Sequence, residues 1–400
     1  MKKFLTIALC LLTAALSLRA TSWTAQSNAD LREAMLSRAE TFRSQMAGEE
    51  IYNALSEFIC EVKAIAPSQP YAWMIQTHRF VSEQLRRYPA CLDIPLNSKE
   101  KNSIIRKNLL YLRDFPMHVN NSSSVSPAPA SGQADAFTRA NDYYLGGARA
   151  DFLQWLDSPA PAAGELQLFK VYNMGFAFRT SNHLILIDLA WAGTDEEAAV
   201  IASKADILFL THNHSDHYSQ ALLNAMAKAG KYLVMPLDKV PSYTDTSKKI
   251  VKTADFDAVN LGGVTVQGFM GAQNGTDNLL YAIEMDGWRI AHGGDNQNAD
   301  AEAKFQNLEG FDIATIAIFA RPQSIMGYIM KSKNQNKRDF VFLSSHENEK
   351  NHEVSGRVGF NQAYEETTKF GKSSFDYPAI LILDNGEKAK IGRASCRERV

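Results

Sequence analysis

The stretch Ile207 to His217 reads I-L-F-L-T-H-N-H-S-D-H, and it constrains the chain more than any other segment. An apolar run of strand length ends at Thr211 and is followed at once by His212, His214, Asp216 and His217. In extended chain, residues 212 and 214 point to the same side. A turn into a helix beginning near Tyr218 lets Asp216 and His217 reach back towards the strand end. A single histidine is most often a packed or surface residue, but four ligand-type side chains at the end of one hydrophobic strand form a donor set. Imidazole and carboxylate at this density suit zinc, with manganese or iron as alternatives.

The surrounding pattern is that of a layered α/β fold. From about Glu165 onward short β-rich runs appear: Leu166–Tyr172, Gly175–Arg179, His183–Asp188, Asp206–Thr211, Tyr232–Met235, Val264–Phe269, Leu279–Met285, Trp288–His292, Asp312–Phe319, Phe340–Ser344 and Ala379–Leu383. Helical stretches separate several of them. Thr194 followed by Glu197 is a capping box that opens one helix; Ala221, Leu222, Ala225 and Met226 mark the inner face of another. Strands that come both as hairpin neighbours and as strand–helix–strand units predict mixed sheets.

The H-x-H-x-D-H motif, with this strand pattern, resembles the metallo-β-lactamase fold superfamily over about residues 165–390. The resemblance implies an αβ/βα sandwich of two mixed sheets flanked by helices, with one or two metal ions at its edge. It also implies further site residues. Asp188, ending H-L-I-L-I-D, takes the place of an aspartate that orients a ligand. Asp295, ending W-R-I-A-H-G-G-D, takes the place of a carboxylate bridging two cations. His346, ending F-V-F-L-S-S-H, is the late histidine. The implied ligand set is His212, His214, Asp216, His217, Asp295 and His346, with Asp216 and His217 as the catalytic pair.

One position departs from the family pattern. No histidine occurs from Tyr218 to Ala291. The place where the family usually supplies another histidine falls on Gln273, whose amide oxygen is a neutral, weaker ligand. One tight ion is therefore expected, with a second weak or absent. His292 and His352 are further candidates: His292 is expected to pack or hydrogen-bond behind the ligands, and His352 to stand at the pocket mouth with Glu347, Asn348 and Glu349. Arg321, in a basic loop, is a candidate for pairing with an anionic substrate group. His78, His118 and His183 have no ligand-like company and are read as structural.

The function implied is hydrolysis, with a metal-bound hydroxide attacking an ester, lactone, amide or phosphodiester of a small-molecule substrate. The separate helical N-terminal region and the E-N-E after the late histidine favour the broad lactonase-like and phosphodiesterase-like branch, an argument by analogy. Two other classes stand beside it. With glutamine at position 273 the domain could be a metal-containing binding protein; a di-iron redox centre is the other, although no flavin- or iron–sulfur-type cysteine pattern accompanies it. A net charge of −2 without a basic tract points away from nucleic acid.

The ends and the N-terminal half complete the organisation. Residues 1–20 read as a secretory signal peptide: Met1-Lys2-Lys3, an apolar run from Phe4 to Leu18, then Ala20. Export to the periplasm or beyond is expected, with no stable membrane span after cleavage. Residues 391–400 back-translate as a sequencing-library adapter and are set aside as an artefact. Residues 28–115 carry helical periodicity, 120–133 form a Ser/Pro/Ala linker, and 134–157 form a connecting helix. Cys60 and Cys91 could pair in an oxidising compartment or remain separate thiols.

Overall fold

The computed structural model describes residues 28–66, 69–90, 101–117, 133–236, 246–319, 322–347, 359–370 and 379–392. The proposed signal peptide, residues 120–132 of the Ser/Pro/Ala linker, His118, Arg321, Asn348, Glu349, His352 and Cys91 lie outside the described residues, and Gln133 opens a helix. The chain divides into two compact units.

The first unit comprises residues 1–87, 107–144 and 348–361. Its described part is helical: α1 (Asn28–Gln45), α2 (Glu50–Ala64), α3 (Pro70–Arg87) and most of α4 (Lys101–Met117). Leu31, Met35, Phe42, Leu55, Phe58, Trp73, Val81 and Leu109 are all buried, the helical spacing read from the sequence turned inward. His78 is buried too, its Nδ1 facing the Arg113 guanidinium at 2.8 Å. Cys60 is exposed.

The second unit comprises residues 88–106, 145–347 and 362–400. The long helix α5 (Gln133–Asp157) spans the division between the units. The second unit holds two seven-stranded sheets, in the orders β14-β1-β2-β3-β4-β5-β6 and β13-β12-β11-β10-β9-β8-β7. In the first, β1 (Glu165–Tyr172), β2 (Gly175–Arg179) and β3 (Leu184–Ile187) pair antiparallel; β3, β4 (Ile207–Phe209), β5 (Tyr232–Met235) and β6 (Lys249–Val251) run parallel. The second sheet repeats the arrangement. Here β7 (Phe256–Leu261), β8 (Val264–Gln273), β9 (Thr276–Met285) and β10 (Trp288–His292) are antiparallel; β10, β11 (Ile313–Ala317), β12 (Val341–Ser345) and β13 (Ala379–Leu381) are parallel.

The inner faces of the sheets supply one core. Leu168, Phe176, Phe178, Ile187 and Phe209 from the first sheet pack with Val266, Tyr281, Ile283, Ile290 and Leu343 from the second. The outer face of the first sheet is covered by α5, α6 (Asp195–Lys204) and α7 (Gln220–Lys228), through Phe152, Trp155, Ile201, Leu223 and Met226. The outer face of the second is covered by α8 (Ala299–Ala303) and α9 (Pro322–Ile329), through Ala301, Ile325 and Ile329. The unit is thus the αβ/βα sandwich of two mixed sheets. Thr194 caps α6 in both directions, its side chain accepting from Glu197 N and its own amide donating to the Glu197 carboxylate. A last helix, α10 (Phe360–Phe370), precedes β13.

Three strands escape the sequence pattern: β6, β7 and β14 (Lys388–Gly392). All three are edge strands. An edge strand buries less of itself, so the apolar pattern is weak in β6 and β7; β7 is exposed or half-exposed at its four central positions, whereas β14 alternates, with Ala389 and Ile391 buried. The last strand runs through Ile391 and Gly392, pairing Leu166 with Ile391 and thus extending into the segment set aside as artefact. Among the described residues no helix is long and apolar enough to cross a membrane.

Candidate metal centre

The candidate ligands gather at the carboxyl ends of the parallel strands, where an open α/β sheet leaves its crevice. His212, His214, Asp216 and His217 follow β4, Asp295 follows β10, and His346 follows β12. They form two groups whose candidate ligand atoms lie within 4.8 Å of one another: Asp216, His217, Asp295 and His346, and His212, His214 and Asp295. Asp295 is shared.

The first group is made of acceptors facing acceptors. His217 Nε2 lies 3.2 Å from Asp216 Oδ2 and 3.3 Å from Asp295 Oδ2; His346 Nε2 lies 3.3 and 3.2 Å from the same two oxygens. All four side chains are buried. Carboxylate oxygens cannot donate, and the tautomer of His217 is set from behind. Its Nδ1 meets Asp188 Oδ2 at 3.0 Å, so the proton sits on Nδ1 and the Nε2 lone pair points into the cluster. Such an arrangement is stable only with a cation, or with protons, at its centre. His217 Nε2, His212 Nε2 and Asp295 Oδ1 are buried without a hydrogen-bond partner. The residues present therefore fit a divalent ion.

Asp188 organises this centre without joining it. It is fully buried and has a left-handed backbone (φ 47°) just beyond β3. One oxygen accepts from the Thr211 amide at 2.7 Å; the other accepts from Thr211 Oγ1 at 2.7 Å and from His217 Nδ1 and His292 Nε2 at 3.0 Å each. Because the Thr211 hydroxyl donates to Asp188, it must accept from His212 Nδ1, 3.0 Å away. His212 thus also presents Nε2 as a lone pair. One carboxylate sets the tautomers of two ligands. His292 is the second imidazole on Asp188, and its other nitrogen meets Thr315 Oγ1, so it stands behind the candidate ligands.

The electrostatics follow from this packing. Burial pushes the Asp188 carboxyl up, but the charges and hydrogen bonds of His217 and His292 more than offset it and hold the group below the carboxylate range. Burial opposes ionisation of Asp216 and Asp295 as well; hydrogen bonds and charge from His217 and His346 hold both low. Burial lowers His217 and His346, yet the facing carboxylates raise both above the ordinary histidine range. His212 goes the other way, to about 3, through burial and the neighbouring His217 charge.

Glu347 is not at a pocket mouth, contrary to expectation. It is fully buried, ion-paired with Lys170 at 2.6 Å. Two residues of the centre are not legible in the motif. Asn173, fully buried in the β1–β2 turn with φ 55°, donates from Nδ2 to Asp216 Oδ2 at 2.8 Å. Asn278 accepts the Asp295 amide at 3.2 Å and donates to Gly293 O at 3.1 Å. Asparagine is an ordinary turn residue at the position of Asn173, and Asn278 lies inside β9; only the fold makes either a neighbour of the site. Gln273 sits at the end of β8, beside Asp295, and donates from Nε2 to Asp295 Oδ2 at 2.8 Å.

Two mixed seven-stranded sheets with these ligands at the strand ends define a metallo-β-lactamase-fold domain. Residues 170–351 match the model of the β-lactamase superfamily domain. A curated UPF0173 protein of Pyrococcus abyssi (strain GE5 / Orsay) is 27% identical over 147 residues, spanning 36% of this chain and 67% of the relative. Among solved structures, Igni18, a metallo hydrolase from Ignicoccus hospitalis, is 15% identical, covering 57% of this chain and 98% of its own, with a TM-score of 0.42. The metallo-β-lactamase fold protein YhfI from Bacillus subtilis is 14% identical, covering 57% and 100%, with a TM-score of 0.40. An isothiocyanate hydrolase from Delia radicum gut bacteria is 16% identical, covering 56% and 99%, with a TM-score of 0.40.

Proposed function

We propose that this protein is an exported metal-dependent hydrolase that cleaves an ester, lactone, amide or phosphodiester in a small-molecule substrate. The observation that carries the reading is the convergence of His217 and His346 Nε2 with the Asp216 and Asp295 carboxylates, with the His217 tautomer set by Asp188. Two imidazoles and two carboxylates aimed at one buried point require a cation or protons at its centre, and a divalent ion satisfies all four at once. The set of imidazole and carboxylate suits zinc first, then manganese or iron.

A divalent ion held there supplies Lewis acidity, polarising the oxygen of the bond under attack and acidifying water. The chain's own residues do the rest. Asp216, His217, Asp295 and His346 would hold the ion. Asp188 holds the His217 ring through Nδ1. Asn173 holds Asp216 Oδ2, which leaves Oδ1 of the same carboxylate to take a proton from the attacking water.

The test is metal content of the purified protein together with a hydrolysis screen over ester, lactone, amide and phosphodiester substrates. Bound metal and turnover, both lost in Asp295→Ala, are expected. Metal without turnover on any class would replace the hydrolase with a metal-containing binding protein. A protein that takes up no divalent ion would overturn both.

A further inference from the structure

His183 immediately precedes β3, in the turn that begins at Thr180, so it stands at the end of that strand opposite Asp188 and the candidate metal centre. Two turns of the second sheet meet it there. Its Nδ1 lies 3.0 Å from Oδ2 of Asp286, between β9 and β10, and its Nε2 lies 3.2 Å from the carbonyl oxygen of Gly262, between β7 and β8.

Both partners are acceptors. A carbonyl never donates, and Asp286 is ionised: burial pushes its carboxyl up, but hydrogen bonds from Thr180, Asn182 and His183 hold it below the ordinary value. A neutral imidazole has a single N–H. It serves one of the two oxygens and sets a lone pair against the other. Only the imidazolium donates to both.

The surroundings are built for this cation. Asp286 is fixed by the turn that carries His183: Thr180 Oγ1 donates to Oδ2, and Asn182 Nδ2 donates to Oδ1 at 3.0 Å. Thr180 Oγ1 in turn accepts the His183 amide at 3.1 Å. Gly263 makes room for the ring, since its φ is 107° and a Cβ there would stand 2.7 Å from His183 Nε2. A second carboxylate, Asp206, comes from the residue before β4 and accepts the Leu184 amide at 2.8 Å. On the β5 side, a Cβ at Gly262 would stand 3.4 Å from the Tyr232 ring, and the Lys248 ammonium lies 5.5 Å from the centroid of that ring. Burial lowers the His183 pKa, but the Asp286 and Gly262 hydrogen bonds and the charges of Asp286 and Asp206 raise it above 6.5.

We infer that His183 is a pH-operated clamp between the two sheets, tying the β2–β3 turn to the β9–β10 and β7–β8 turns as an imidazolium and releasing the β7–β8 turn when it loses its proton. The proton lost is the one on Nε2, because the Nδ1 proton is held by a carboxylate. The bared Nε2 lone pair then faces the Gly262 oxygen. The turn is able to respond, since β7 is an edge strand that pairs only with β8. A folded pKa raised above the unfolded one means that the stabilisation is fully present below pH 6.5 and is lost as pH climbs through the raised value. The clamp needs no metal ion, so it stands or falls separately from the hydrolase reading.

The test is a titration of the histidine ring resonances of the full chain, as purified, from about pH 5 to about pH 9. The His183 signal is identified by its absence from His183→Gln or, should that variant not fold, by nuclear Overhauser contacts to Gly263. A midpoint above 6.5 with both ring nitrogens protonated below it is expected. Asp286→Asn should shift that midpoint down. In urea denaturation, the gap between native protein and His183→Gln should be widest below pH 6.5 and shrink as pH rises through the midpoint; this difference isolates His183 from the histidines of the metal centre. A midpoint at or below 6.5, a midpoint unmoved in Asp286→Asn, or a gap that does not change with pH would overturn the inference.

Discussion

Lys170 and Glu347 form a 2.6 Å ion pair in which neither side chain is exposed to solvent. Lys170 lies on β1 of the first sheet, and Glu347 lies two residues beyond β12 of the second, directly after the candidate ligand His346. The ammonium also donates to Leu383 O at 3.0 Å, and the Ser344 hydroxyl donates to the second Glu347 oxygen. The pair therefore ties the two sheets together beside a ligand whose backbone is left-handed (φ 70°). Removing one partner of such a pair leaves a buried charge and costs about 3–5 kcal/mol. Lys170→Met is expected to lose that much stability in chemical denaturation of the metal-free protein, and a loss below 1 kcal/mol would count against the tie.

Asp188 is expected to govern metal affinity without binding metal. In Asp188→Asn an amide replaces one accepting oxygen by a donor, which cannot serve Thr211, His217 and His292 together. Loss of such an outer partner typically weakens metal binding 10–100-fold. Chelator competition should show a weakening in that range for the tight ion. An unchanged dissociation constant would mean that the ligand tautomers are set by something else.

Asn173→Ala is expected to separate turnover from metal content. The hydrogen bond it removes, to the ionised Asp216, is of a kind worth roughly 1.5–3 kcal/mol, equivalent to about 10–100-fold in rate. The metal content of the variant should match the native protein while kcat falls within that range. Equal kcat would show that Asn173 only shapes the turn.

Gly294 cannot carry a side chain. Its φ is 55°, and a Cβ would stand 2.7 Å from Asn278 Oδ1 and 2.8 Å from Thr211 Oγ1. The left-handed backbone alone costs an alanine about 1–2 kcal/mol, and the two contacts add to it. Gly294→Ala is expected to lower Tm and, by displacing Asp295, to reduce bound metal. A variant with native Tm and metal content would refute the close approach.

Metal binding should strengthen as pH rises. Without a cation, His217 and His346 have pKa values raised above 6.5 by the facing carboxylates, although burial opposes this. A raised folded pKa means that the stability from these protons is fully present below 6.5 and is lost as pH climbs through the raised values. A cation must displace the same protons, so its affinity rises over that window. His212, with a pKa lowered to about 3, is already neutral there and gives up no proton. Titration in buffers of different ionisation enthalpy should reveal proton release near neutral pH. A pH-independent affinity from 6.5 upward would contradict the assignment.

Much of the centre was legible in the sequence because a strand end places residues by simple rules. His212, His214, Asp216 and His217 follow one apolar strand, and Asp295 and His346 each follow another; a parallel sheet delivers such positions to a single edge. The central strands were legible because burial on both faces demands continuous apolar runs. The edge strands β6 and β7 were not, since half-exposed strands carry no such demand, and β14 was passed over because it ends in the segment set aside as an artefact.

What the sequence by itself determined is the list of ligand-type residues and the class of layered fold, since both follow from local chemistry and periodicity. Only the tertiary structure decided which groups those residues serve. Asp188 and His212 are 24 positions apart in the chain, yet they are joined through Thr211 because β3 and β4 pair in parallel. Glu347 could not be told from a surface carboxylate until Lys170, 177 residues away, was found against it. Gln273 reads as a lost ligand in the chain; in the fold, its amide nitrogen is held by Asp295 and its oxygen is left open. Hydrogen-bond direction and burial depend on neighbours remote in sequence, and those are set when the two sheets close on one another.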